Sequence, residues 1–211
     1  MLLFVGLGNP GRDYAENRHN VGAMAVEAIL RRHGLPALRN STRPRGAFSE
    51  GRLGEAQVRF LRPLSYMNES GGPVGEAMRY WRMAPEDVVV FHDELDLAAG
   101  KVRVKHGGGH AGHNGLRSID AHIGRDYRRV RIGIGHPGDK ERVTGHVLRD
   151  FSKADRAWLD AVLDAIADAA PLLAAGDDAA FMTRVALLTQ PPRPKAEAEP
   201  PKGGKTETEK D

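Results

Sequence analysis

A single α/β domain is what this sequence predicts, and three observations carry that expectation. The chain has 211 residues, a length that suits one such domain better than two. Two apolar runs, MLLFV at residues 1–5 and the β-branched DVVVF at residues 87–91, read as buried strands. Other stretches carry apolar residues at helical spacing, so strands and helices share one chain.

The first strand ends at Gly6, and Gly8 and Gly11 follow closely. A glycine turn lets backbone approach a ligand because no side chain intervenes. Loops at the end of a buried strand are also where α/β proteins place their chemistry. The three glycines match G-x-G-x-x-G, the dinucleotide fingerprint, with Glu27 as a candidate ribose ligand. Pro10, Arg12 and Asp13 argue against that reading, because in the fingerprint the helix opens inside the glycine loop. The helix is expected instead over residues 20–33, where Val21, Met24, Ala25, Ala28 and Ile29 share a face. Asn20 is its candidate N-cap and Gly34 its candidate C-cap.

Residues 36–46 read as a basic loop carrying Arg39, Arg43 and Arg45. Residues 47–53 and 56–61 read as a hairpin turning near Gly54. RPLSYMNESGG, residues 62–72, leads into a helix over 74–82. Asn68 lies near the start of that helix, where free amides and side chains face a ligand. Position alone favours a capping role for it.

The strand at 87–91 runs into HDELDL, which places Asp93, Glu94 and Asp96 at the sheet rim. Carboxylates there suit metal binding, the orienting of a histidine, or plain solvation. Residues 101–105, KVRVK, alternate as a half-exposed strand does, with Lys101, Arg103 and Lys105 outward. HGGGHAGHNG follows at 106–115. Gly107, Gly108 and Gly109 offer backbone N–H groups for an anion-binding nest. His106, His110 and His113 raise a metal site. No glutamate accompanies them as in H-E-x-x-H, and a glycine loop holds three ligands poorly, so a plain turn is the better reading.

His113 and Asn114 open a helix that runs to about residue 123. Residues 128–134 read as a strand with Arg131 facing opposite to Val130 and Ile132. A charged turn over 135–143 leads into a short helix ending near Leu148. A long helix over 152–175 is N-capped by Ser152, with Asp155 at the capping-box position, and a shorter one covers 177–188. The remaining chain is rich in proline and charge and lacks large apolar residues, so residues 189–211 are expected to be a disordered tail behind a domain of residues 1–188. That tail balances its basic and acidic residues, which argues against a basic RNA-binding arm.

Composition narrows the function classes. Hydrophobic residues make up 40% of the chain, enough for a real core at this length. The absence of cysteine excludes disulfides, thiolate-ligated zinc and thiol catalysis. No targeting peptide and no apolar run of membrane-spanning length is visible, so a cytoplasmic protein that engages no membrane is expected. The formal charge of +3 and pI near 9.3 are only mildly basic.

One ordered set of motifs goes further: strand–GNPG–x2–Tyr–x3–Arg-His-Asn–x–Gly, Tyr-Met-Asn-x-Ser-Gly, Asp-Glu-Leu-Asp, Gly-Gly-Gly-His-x-Gly-His-Asn-Gly-Leu, and Arg-x-Gly-Ile-Gly-x-Pro. Five blocks in this order and spacing resemble bacterial peptidyl-tRNA hydrolase over residues 1–188. Asn17 departs from the pattern, which commonly has Thr before the Arg-His pair.

The resemblance implies a mixed twisted sheet flanked by helices, a monomer, and no metal or other cofactor. It implies hydrolysis of the ester joining a peptide's C-terminal carboxyl to the terminal ribose of tRNA, which recycles peptidyl-tRNA lost from the ribosome. His19 is then the base that activates water, a role histidine suits near neutral pH. Asp93 matches the acidic partner that orients it; the residues alone would also admit Glu94 or Asp96. Asn68 and Asn114 match the family's site asparagines, and the backbone of Gly112 and His113 is a further candidate donor to an oxyanion. Asn9 matches the position that tells an acylated amine from a free one. Tyr14 and Tyr66 match contacts to the acceptor end, and Met67 would line an apolar wall. Arg103, Lys105 and Arg131 are the expected phosphate ligands; the competing reading is an ordinary solvated strand face. A non-catalytic RNA-binding relative on the same fold would have lost the His, the Asp or the asparagines, and all are present here.

Overall fold

The computed structural model describes residues 1–190. In chain order it contains β1 (Leu2–Gly6), α1 (Val21–Arg32), β2 (Arg39–Thr42), β3 (Arg45–Leu53), β4 (Ala56–Arg62), α2 (Gly71–Trp81), β5 (Val88–Glu94), β6 (Val102–His106), α3 (Asn114–Ile123), β7 (Arg128–Gly133), α4 (Val143–Val147), α5 (Lys153–Ala174) and α6 (Asp178–Leu188). The strands form one seven-stranded sheet in the order β2-β3-β4-β1-β5-β7-β6. The pairs β1–β4, β1–β5 and β5–β7 are parallel, and the outer pairs are antiparallel. The sheet is therefore mixed, as expected.

Parallel strands covered on both faces need apolar side chains on both, which explains the unbroken LLFV and VVVF runs. Successive residues feed two cores. Phe4, Val89, Phe91, Val130 and Ile132 pack with α1, α5 and α6 on one face. Leu3, Val5, Val88 and Val90 pack with α2 and α3 on the other. The long helix α5 starts with the expected capping box: Ser152 Oγ accepts from the Asp155 N–H, and the Ser152 N–H donates to Asp155 Oδ2. No described helix is long and apolar enough to cross a membrane.

Three local expectations change. Residues 39–42, read as part of a loop, form β2 and pair with β3. Their sequence, RNST, is mostly exposed and buries no alternating face, so no apolar period announces the strand. β5 runs on through His92, Asp93 and Glu94, all buried, so these polar residues belong to the strand itself. α2 begins at Gly71, ahead of residue 74, with Pro73 in its first turn, where a missing N–H costs nothing. The expected tail, residues 189–211, lies outside the described residues apart from Thr189 and Gln190.

β1 and β5 are neighbours, with Gly6 level with Phe91. After β1 the chain leaves toward β4, and after β5 it leaves toward β6 and β7. The crevice beyond such a divergence is where open α/β sheets hold ligands. α1 enters this crevice only because it carries glycine at its second position. A Cβ on Gly22 would lie 2.0 Å from the Phe91 carbonyl oxygen. Gly22→Ala is expected to destabilise the protein by about 1–3 kcal/mol or more. Thermal or urea denaturation measures this, and an unchanged midpoint would refute the close approach.

Candidate active site

The crevice opens as a cleft of about 970 Å³ beside the ends of β1 and β5. Its floor holds three imidazoles around one carboxylate. His19 comes from the short turn Arg18–Asn20 ahead of α1 and is 8% exposed. Its Nδ1 lies 2.9 Å from Asp93 Oδ1 and 3.0 Å from Oδ2. His113 lies beside it, its ring centroid 4.8 Å from that of His19, with Nε2 2.9 Å from the same Oδ1.

The tautomers follow from the partners. His113 Nδ1 accepts the N–H groups of Gly115 and Leu116, capping α3, so its proton is on Nε2 and is donated to Asp93. His19 Nδ1 likewise donates to Asp93. That leaves His19 Nε2 with its lone pair, and this atom makes no hydrogen bond among the described residues.

Charge reinforces the geometry. Burial disfavours a charged His19, but the Asp93 carboxylate outweighs it by charge and hydrogen bond, so His19 titrates above the usual histidine value. Burial would raise the Asp93 pKa, yet the charges and hydrogen bonds of His19 and His113 hold it well below the usual carboxylate range. His92, next along β5, is different. Burial, with His113 beside it, pushes it down to about 3, so it is a neutral imidazole. Its Nδ1 donates to the Asp93 carbonyl at 2.7 Å. Sequence offered no signal for this support, since His92 reads as one more rim residue.

The asparagines divide into a buried pair and an exposed pair. Asn9 is buried, and its Oδ1 accepts the Met67 N–H at 2.7 Å. Asn20 reads in sequence as an N-cap, but its side chain makes no cap bond. It clamps Asn9 instead, accepting the Asn9 N–H and donating to the Asn9 carbonyl, both at 2.9 Å. Asn68 and Asn114 line the cleft, and their side chains make no hydrogen bond among the described residues. Neither serves as a cap. Tyr66 is 56% exposed on the cleft wall, with Tyr14 edge-on to it at 6.4 Å. Met67 is buried against the floor and Gly112 lines the rim.

The glycine loop does not keep all its N–H groups free for an anion nest. The Gly107 N–H is taken by the Tyr127 carbonyl and the Gly112 N–H by His110 Nδ1. The Gly108 and Gly109 carbonyls turn inward to the buried Arg129, at 2.7 Å each. Nor do His106, His110 and His113 converge, since His106 pairs with Asp178 on α6. After the glycines of the first loop come short turns, and α1 starts only at Val21, so no helix N-terminus faces a dinucleotide there.

Among the described residues, His19, Asp93 and His113 are the group whose potential metal-ligating atoms gather, within 4.8 Å of one another. The hydrogen bonding does not suit a metal. A ligating imidazole donates its second nitrogen's proton to an acceptor, whereas His113 Nδ1 faces two N–H donors.

The basic residues are unequal. Arg103 and Lys105 are exposed on the edge strand β6. Arg131, opposite Arg103 on β7, donates to Glu94 at 2.8 Å, so its charge is already paired. Glu94 is thereby occupied, and Asp96 lies beyond the strand's end. Asp93 is the carboxylate that meets His19.

Residues 3–195 match the family described as Peptidyl-tRNA hydrolase. The chain belongs to this family. It is 57% identical to the peptidyl-tRNA hydrolase of Dinoroseobacter shibae, over 98% of this chain and 92% of that one. It is 63% identical to that of Paracoccus denitrificans, over 92% of this chain and 81% of that one. The crystal structure of peptidyl-tRNA hydrolase from Acinetobacter baumannii superposes with a TM-score of 0.82 at 43% identity, covering 88% of this chain and 94% of that one. Peptidyl-tRNA hydrolase membership thus accompanies a cleft built around a histidine–carboxylate pair.

A raised His19 pKa means that its pairing with Asp93 stabilises the fold fully below the unfolded value of about 6.5 and that this is lost as pH rises through the folded value. NMR titration of the His19 ring should therefore give a midpoint above about 6.5. In Asp93→Asn, burial is unopposed and the midpoint should fall below that of the wild type. An equal or higher midpoint would refute Asp93 as the dominant influence.

Proposed function

We propose that this chain hydrolyses the ester of peptidyl-tRNA with His19 as the general base. The observation that carries this is the unpartnered Nε2 of His19 at the cleft, on a ring whose other nitrogen is fixed by Asp93. A water bound at Nε2 gives up its proton as its oxygen attacks the ester carbonyl. The imidazolium that forms is stabilised by the Asp93 carboxylate, and its proton then passes to the departing ribose oxygen. A histidine is the side chain whose titration suits a base that works near neutral pH.

The carbonyl oxygen becomes an oxyanion in the tetrahedral intermediate. Asn68 and Asn114, whose amides have no protein partner among the described residues, are its candidate donors. Asn9 serves specificity. With Oδ1 held by the Met67 N–H, its Nδ2 remains to donate toward the cleft. An acylated substrate presents a peptide carbonyl there, and aminoacyl-tRNA with a free ammonium does not. Tyr14 and Tyr66 offer aromatic surface to the terminal base. The reading takes the enzyme as a monomer, and the hydrogen bonding around His113 supports chemistry without a metal. The substrate arises at the ribosome, so the reading carries a cytoplasmic location with it, and residues 1–188 suffice as the catalytic unit.

Release of N-acetyl-amino acid from N-acetyl-aminoacyl-tRNA in the presence of EDTA tests the whole reading. His19→Ala should lose about 10²–10⁴ in kcat/KM. Loss of wild-type activity to EDTA would replace the base mechanism with a metal one.

For the RNA, Arg103 and Lys105 are exposed cations with no carboxylate partner among the described residues. Arg103→Ala with Lys105→Ala should raise KM and reduce the slope of log KM against log salt by about 1.5–2. Arg131→Ala should disturb Glu94 more than phosphate binding. Equal salt slopes in wild type and the double variant would remove the β6 edge from the binding surface.

A further inference from the structure

Residues 36–46, basic in sequence, fold into a sheet edge that the ester chemistry does not use. Arg39 is on β2 and Arg43 in the turn after it, both exposed. Arg39 is opposite Phe48 of β3. The Phe48 ring meets Trp81 edge-on at 5.0 Å, and Trp81 is the last residue of α2. The Arg59 guanidinium lies 4.5 Å over the Trp81 ring. Tyr80, 59% exposed, stands edge-on to Trp81 on the outside. Arg45 donates to Glu76 on α2, and Arg79 lies one turn beyond Glu76 and adds to the positive charge around it. Arg82 caps the helix in the left-handed region at φ 54°, a place that favours glycine or asparagine.

The charge here exceeds that of the molecule. Residues 39–59 and 76–82 contain seven arginines and three glutamates, an excess of four positive charges in a chain whose formal charge is +3. Arg45 and Arg59 have carboxylate partners. Arg39, Arg43, Arg79 and Arg82 have none within 4.0 Å among the described residues. Edge strands carry charge to deter pairing with another chain, which accounts for Arg39 and Arg43. It does not account for Arg79, Tyr80 and Arg82, which belong to a helix.

We propose that this corner is a second RNA-binding surface, taking the phosphate backbone of structured RNA on Arg39, Arg43, Arg79 and Arg82 and an unpaired base on Tyr80. Unpaired guanidiniums around an exposed ring on an aromatic base are what single-stranded and looped RNA engages, phosphates by charge and bases by stacking. The surface is separate from the catalytic one. α2 runs from the cleft to Trp81 over 11 residues, about 16 Å. Arg103 and Lys105 lie at the opposite end of the seven-stranded order, six strand spacings or about 29 Å away. Its occupant is thus RNA beyond the acceptor end held in the cleft. The inference does not depend on the ester chemistry.

The test is binding of a blunt RNA hairpin of about 12 base pairs with a pyrimidine loop, followed over a salt series, in the full chain carrying Arg103→Ala and Lys105→Ala so that the β6 edge is silent. Adding Arg39→Ala, Arg43→Ala, Arg79→Ala and Arg82→Asn should weaken binding on the order of tenfold and lower the salt slope by about 3. Adding Tyr80→Ala alone should weaken the looped hairpin several-fold and spare a blunt duplex without a loop. The kcat on N-acetyl-aminoacyl-tRNA should match that of the parent in every variant, which also certifies folding. If the fourfold addition melts early, Arg39→Ala with Arg79→Ala serves in its place, with about half the loss of slope. Unchanged affinity and slope would overturn the proposal. So would a variant that keeps RNA binding but loses binding of poly-glutamate, which would point to an acidic protein.

Discussion

The Asp93 carboxylate is buried at the end of β5 and accepts hydrogen bonds from two imidazoles, those of His19 and His113. A charge taken out of water in this way is tolerated only when it is fully paired, because the desolvation penalty is several kcal/mol. Each partner comes from a different side of the sheet. His19 precedes α1, which packs in one core, and His113 caps α3, which packs in the other. A shift of either helix would leave the carboxylate short of a donor. The same bonds leave His19 with one committed nitrogen, so the arrangement that makes Asp93 tolerable also leaves the other nitrogen of the ring to the cleft.

The turn that carries His19 is held from its other end as well. Arg18 donates to the Arg149 and Asp150 carbonyls and pairs with Asp155 at the start of α5. Asn17 donates to Asp150 at 2.7 Å. Charge-assisted bonds of this kind are worth about 1.5–3 kcal/mol each in general. They tie the segment between α4 and α5 to the turn of His19, and with it the far wall of the cleft, where Thr144 and Leu148 lie. The departure at Asn17 is therefore spent on this strap, with its side chain directed away from the reacting centre. Asn9 is fixed separately, by Asn20 and by the Met67 N–H. His19 and Asn9 thus belong to one short loop, each locked by bonds reaching distant parts of the chain.

Much of the fold was legible in sequence. The runs LLFV and VVVF, the hairpin at Gly54, the α5 capping box and the apolar face of α1 all rest on local pattern, and the structure follows them. β2 was not legible because RNST buries no periodic face and is held by backbone pairing to β3. The polar end of β5 hid for a related reason: Asp93 and Glu94 are satisfied by side chains from residues 19, 113 and 131, which no local window contains.

The sequence by itself determined the family and put forward candidates for the site: His19, one acid among three, the asparagines, His113, and a basic edge. Residue types in order are enough for that, since each chemistry needs particular groups. Tertiary structure decided the pairing. It selected Asp93 over Glu94 and Asp96 as the carboxylate against His19, turned His113 into a second donor to that acid, and sent Arg131 to Glu94. It also drew Asn20 away from the helix cap to Asn9. Hydrogen bonds between residues far apart in sequence depend on where the sheet and its two helix layers place them, and a linear pattern does not encode that distance.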